Sequence, residues 1–148
     1  MIVVYLDTCT LHRPLDDKSS LRIALESEAV LGLLAMCETG QLEMLSSEAL
    51  LFEIKHNPDV AKQEYVLQTL KAARTAVILE PSVQERAREL SAAGIKPLDA
   101  LHLASAEAGH ADYLCTCDDR FLRRARSLGE IKTRVVSPIE LIGEVEQW

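Results

Sequence analysis

The chain is poor in aromatic residues, at 4% of its 148 positions. A surface that grips single-stranded nucleic acid by stacking bases on rings is therefore poorly supplied. No apolar run approaches the ~18 residues needed to span a bilayer. The first residues lack the basic stretch and small-residue cleavage site of a secretory signal, so a cytoplasmic protein without membrane contact is expected. Cysteine is scarce (four residues), and Cys115-x-Cys117 is too tight for zinc and has no second ligand pair. Reduced, mostly buried thiols are expected rather than a disulfide framework. Basic residues are in deficit, with 16 Lys and Arg against 23 Asp and Glu. The resulting net charge of −7 argues against broad coating of nucleic acid.

What is present is a regular alternation. Apolar, β-branched segments at 2–6, 42–45, 76–79, 112–115 and 133–136 predict strands. Between them, helical spacing of apolar residues predicts helices over 21–37, from Ser46 or Ser47 to Asn57, 59–73, 82–93, 97–108, 119–128 and from 138 onward. Residues 12–20 read as a polar connection. Ser82 with Glu85 reads as a capping box, Gly40, Gly94 and Gly109 as helix stops, and Pro97 and Pro138 as first-turn residues. Strands alternating with helices imply a three-layer α/β/α fold with a parallel sheet of about five strands. The length suits one domain, residues 1–148. Ligands of such sheets bind at the carboxyl ends of the strands.

Four acids interrupt the apolar pattern where that edge should form. Asp7 ends the first strand, Glu53 and Asp99 sit in apolar helical stretches, and Asp118 follows the fourth strand. A carboxylate on an apolar face is costly unless paired or bound to metal. Asp7 and Asp99 have a plainer reading as helix caps and Glu53 as an exposed helical position, while one of Asp118 and Asp119 can cap the following helix and the other face a metal. His102, one turn after Asp99, reads more readily as a packed core residue than as a base or ligand. Against the acidic balance, residues 120–134 carry Arg120, Arg123, Arg124, Arg126, Lys132 and Arg134 with one acid, Glu130. That cluster is either a solvated face or a patch for phosphate or a partner.

The joint arrangement resembles the PIN domain, and within it the VapC-type toxins of bacterial toxin–antitoxin pairs. The resemblance rests on Asp7-Thr8 after the first strand, Ser47 followed six residues later by Glu53, Asp99 in Leu98-Asp99-Ala100-Leu101-His102-Leu103-Ala104, and Thr116-Cys117-Asp118 followed by Phe121. Cys9 departs from the pattern, standing where Asn or Ser is common. The resemblance implies a ribonuclease dependent on Mg²⁺ or Mn²⁺, whose hard ions suit carboxylate oxygens. It makes Asp7, Glu53, Asp99 and Asp118 the catalytic set and Asp7, Asp99 and Asp118 the metal ligands. Thr8, Thr116 and Asp119 would be auxiliary, and Arg120, Arg123 and Arg124 would hold RNA. Implied partners are RNA, an antitoxin and a second copy in a homodimer, with Leu33, Leu34, Val66 and Leu70 as contact candidates if they are not core. The rival readings are a PIN-like binding module without cleavage activity and a solitary PIN nuclease acting on other nucleic acid.

Overall fold

The computed structural model describes residues 1–146. Five strands, β1 (Val3–Leu6), β2 (Glu43–Ser47), β3 (Thr75–Val77), β4 (Tyr113–Cys115) and β5 (Arg134–Val136), form one sheet in the order β3-β2-β1-β4-β5. Every pairing is parallel. Parallel strands are covered on both faces and so read as near-continuous apolar runs; Val4, Tyr5 and Leu6 of the central strand are buried.

The helices are α1 (Thr8–His12), α2 (Leu21–Glu38), α3 (Glu48–Lys55), α4 (Val60–Leu70), α5 (Pro81–Ala92), α6 (Pro97–Ala108), α7 (Asp119–Ser127) and α8 (Pro138–Val145). They complete the expected three-layer α/β/α architecture. The chain order reverses direction across the sheet between β1 and β4, so the crevice of this fold belongs at their carboxyl ends. There Leu6 is in register with Cys115, and the Asp7 amide donates to the Cys115 carbonyl at 3.1 Å.

Several local expectations need correction. A short helix not expected from the sequence, α1, precedes the polar connection, and Asp7 caps it by accepting from the Thr10 amide. A 3-10 turn follows at Arg13–Leu15. Five residues are too few to show helical periodicity. Ser82 and Glu85 do not form a capping box. Pro81 starts α5 one residue earlier, Glu80 is its N-cap without a side-chain bond, and the Gln84 side chain donates instead to the Leu79 carbonyl. Leu33, Leu34, Val66 and Leu70 are all buried within the chain, so they are core and not a dimer face. Their helices turn these residues toward the sheet, leaving Leu21, Leu25 and Leu31 exposed on α2.

Gly109 ends α6 for a packing reason. Its own backbone is ordinary, and the left-handed conformation falls on His110 at φ 57°. A Cβ on Gly109 would collide with Leu45 and stand 2.9 Å from Val77 Cγ2. The missing side chain therefore lets α6, with Asp99, seat closely on β2 and β3.

Candidate active site

Two of the four acids stand at adjacent strand ends. Asp7, only 4% exposed, follows β1, and its Oδ1 accepts from the Thr10 amide at 3.1 Å and from the Cys9 thiol at 3.1 Å. Asp118 follows β4 and caps α7, its Oδ1 accepting from the Arg120 and Phe121 amides at 2.9 and 3.3 Å. The Thr116 hydroxyl accepts from the Asp118 amide at 3.1 Å and so shapes that turn. Among the described residues, Asp118 Oδ2 has no direct donor within hydrogen-bond distance.

Glu53 arrives from the other side of β1. Ser47 ends β2 and caps α3 by accepting from the Leu50 amide at 3.0 Å, which sets the phase of that helix. Glu53 then reaches Thr8, whose hydroxyl donates to its Oε1. The same oxygen accepts from His102 Nε2 at 2.8 Å. Asp99 lies one turn before His102 on α6 and so shares its face.

Electrostatics show that these groups sense one another. Burial pushes the Asp7 carboxyl well above its usual range, with a further push from Cys9, while the Thr116 hydroxyl and the nearby His102 pull it back. Asp99 is raised by burial and then by the charges of Asp118 and Glu53, with His102 and Lys96 opposing. Glu53 moves the other way. Burial would raise it, but the bonds from His102 and Thr8 and the fields of His102 and His12 outweigh burial and hold it below the ordinary range.

The remaining predicted residues divide. Thr8 and Thr116 lie within the cluster. Asp119 does not join it: its two oxygens accept from Arg22 at 2.8 Å each, on the exposed side of α7. Arg120, Arg123 and Arg124 line a cleft of about 640 Å³ together with Lys96, Gly94 and Asp99. None of their guanidinium groups has an ion-pair or hydrogen-bond partner among the described residues. Arg126 and Arg134 differ, being paired with Glu140 and Glu144.

Sequence reasoning missed Tyr5, and read His102 as packed core without its polar partners. His102 is 2% exposed yet fully engaged, with Nδ1 at 2.7 Å from the Tyr5 hydroxyl. Tyr5 is completely buried, and its hydroxyl also meets Ser47 Oγ at 2.6 Å. Only the polar atoms of Tyr5 and His102 inside otherwise apolar stretches signalled this.

The donor set suits a hard divalent cation, being all carboxylate with one oxygen of Asp7 and of Asp118 tied up by the caps. Among the described residues no three His, Cys, Asp or Glu side chains converge as a ready-made cage. Such a set fits an ion held through one or two carboxylates and several waters, as Mg²⁺ prefers.

Asp7 and Asp118 at the carboxyl edge of a doubly wound parallel sheet, beside an arginine-lined cleft, place the chain among α/β proteins whose ligand crevice lies at that edge. The match to the PIN domain model over residues 4–127 identifies the family: the chain belongs to the PIN domain family. Its fold is similar to that of FitAcB from Neisseria gonorrhoeae, with TM-score 0.60, 15% identity, and 92% of this chain and 98% of that one covered. It is also similar to VapBC2 from Rickettsia felis, solved bound to a DNA fragment from their promoter, with TM-score 0.59, 12% identity and the same coverage of 92% and 98%. No curated protein matches the chain. PIN domains are in general nucleases that depend on divalent metal.

Proposed function

We propose that this protein is a metal-dependent endoribonuclease of the VapC-toxin kind, hydrolysing RNA phosphodiester bonds with Asp7, Glu53, Asp99 and Asp118. The reading is supported by Asp7 and Asp118 at the neighbouring carboxyl ends of β1 and β4, and by Asp99, which feels the charges of Asp118 and Glu53 from the wall of the arginine cleft. Asp7, Asp99 and Asp118 are the residues to hold Mg²⁺ or Mn²⁺, which when bound supplies positive charge at the phosphate and makes water more acidic. Glu53 presents its Oε2, free of protein donors among the described residues, to orient the attacking water and receive its proton. Arg120, Arg123 and Arg124, with unpaired guanidinium groups, take the RNA phosphates beside the cut. RNA rather than DNA, and an antitoxin partner, rest on the likeness to VapC-type proteins; residues 1–148 form the one domain of this reading. A homodimer belongs to the same reading, with Leu21, Leu25 and Leu31 as its exposed apolar positions on α2.

A second reading is a PIN-like binding module without cleavage. It draws only on the cleft lined by Arg120, Arg123 and Arg124, whose guanidinium groups have no partner among the described residues. Incubation of purified protein with labelled RNA in Mg²⁺, Mn²⁺ or chelator separates the two. The nuclease reading requires cleavage with metal, none with chelator, and strong loss in Asp7→Asn; RNA bound intact under all conditions supports the module.

A further inference from the structure

The buried side chains beneath Glu53 form a continuous hydrogen-bonded line. The Leu50 amide donates to Ser47 Oγ at 3.0 Å, and Ser47 Oγ meets the Tyr5 hydroxyl at 2.6 Å. The Tyr5 hydroxyl meets His102 Nδ1 at 2.7 Å, and His102 Nε2 meets Glu53 Oε1 at 2.8 Å. The line draws on β1, β2, α3 and α6. Three of its members, Tyr5, Ser47 and His102, are at most 2% exposed.

Direction follows from the ends. An ionised carboxylate only accepts, so a proton must stand on His102 Nε2. In the tautomer with Nε2 alone protonated, Nδ1 is an acceptor, Tyr5 donates to it, and Ser47 donates to Tyr5. Ser47 Oγ can do so because its other engagement, with the Leu50 amide, is as acceptor. That one orientation satisfies every member, and it is set by the Glu53 carboxylate at the His102 end of the line. Oε1 of Glu53 is held twice, by His102 and by the Thr8 hydroxyl. The Glu53 side chain is still 31% exposed, and its Oε2 accepts from no donor among the described residues.

We propose that His102 is a positioning residue for Glu53: an Nε2–H, oriented by Tyr5 on Nδ1, that fixes Oε1 and directs Oε2 toward the substrate side. The inference rests on the nuclease reading for its consequence in catalysis, and on hydrogen bonds alone for its geometry. His102 does not touch the substrate; it acts through Glu53, as outer partners commonly orient the residues that do.

The test uses the full chain and two readouts. Nitrogen-15 NMR of the imidazole rings, with His102 assigned by its disappearance in His102→Gln, reads which ring nitrogen carries the proton. A proton on Nε2 whose signal moves in Glu53→Ala supports the proposal. An Nδ1–H tautomer, or an Nε2 signal indifferent to Glu53→Ala, overturns it. In RNA cleavage, His102→Leu should lower kcat by about 10–100-fold with KM within about twofold. His102→Gln, which keeps a donor near the Nε2 position, should recover most of that loss. Unfolding temperatures of both variants check that each is folded. A folded His102→Leu with wild-type kcat overturns the proposal. A wild-type protein that cleaves no RNA overturns the nuclease reading instead, and the ring spectrum then decides His102 by itself.

Discussion

Arg123 and Arg124 provide a quantitative test of the basic cleft. Both line it with Arg120 and Lys96, beside Asp99, and neither has an ion-pair partner among the described residues. If each holds one phosphate of single-stranded RNA, each contributes about 0.7 to the slope of log affinity against log salt. The double variant Arg123→Ala/Arg124→Ala should therefore flatten that slope by about 1.4. Between 50 and 200 mM salt the variant should lose about sevenfold less affinity than the parent, while binding more weakly at low salt. The assay is fluorescence anisotropy of a labelled RNA, with Asp7→Asn as the common background so that substrate survives. Arg134→Ala is the control, since Arg134 sits on the edge strand, pairs with Glu144 at 3.4 Å and lies over the Tyr113 ring. It should leave the slope within a few tenths of the parent. An unchanged slope in the double variant would refute the phosphate contacts. An equal flattening by Arg134→Ala would show that overall charge, and not this cleft, sets the salt dependence.

Other substitutions test the frame and the acids. Asp7→Asn keeps an oxygen to cap α1, because Asn caps as well as Asp, but removes a buried charge. Activity should fall by more than the roughly 10–100-fold that loss of an outer partner costs, while the unfolding temperature at pH 7–8 holds or rises. Asp99 is raised in the fold, first by burial. Its ionised form therefore opposes folding, and its favourable contribution is lost as pH rises through the folded pKa. Asp99→Asn should accordingly raise the unfolding temperature at neutral pH, with the gain vanishing as the pH falls below the carboxylate range; a constant gain would point to another cause. Gly109→Ala should cost about 1–2 kcal/mol, from overpacking of about 1–3 kcal/mol less about 0.4–1 kcal/mol of unfolded-chain entropy. That is about 2–8 °C in thermal unfolding for a chain of this size. Tyr5→Phe leaves His102 Nδ1 without its donor and should cost about 1–3 kcal/mol, measured by denaturant titration.

The sheet was legible because each parallel strand is apolar throughout and each helix announces itself by spacing. Asp7, Asp99 and Asp118 were legible because a carboxylate next to a buried strand or inside an apolar helix is out of place. Glu53 stood out likewise inside an apolar helical stretch, and its distance from Ser47 added to that, since Ser47 caps the helix that carries it. The short helix after Asp7 escaped because it is shorter than two turns. Ser82 misled because a capping motif says nothing of a proline one residue earlier, which starts the helix by itself. Tyr5 and His102 were harder still. A buried aromatic and a buried imidazole in apolar runs look like core, and only the meeting of β1 with α6 shows that their polar atoms face each other. Asp119 shows the converse, since its partner Arg22 is 97 residues away in sequence.

The cap and ligand readings of Asp7 and Asp118 were set against each other on sequence grounds, and the geometry makes them cooperative. A cap uses one oxygen: Oδ1 of Asp7 takes the Thr10 amide, and Oδ1 of Asp118 takes the Arg120 and Phe121 amides. Each bond fixes the torsion of its carboxylate and so aims the second oxygen at a cost already met in starting the helix. The strands carrying them are neighbours in register, which brings the two caps to one edge. Glu53 is oriented by the same logic with different donors, Thr8 and His102 in place of amides. On the proposed reading, each acid so held keeps an oxygen for a cation bound through few carboxylates and several waters. The buried charge of Asp7 and the mutual repulsion at Asp99 are thus the local cost of a site whose direction is set by ordinary helix starts.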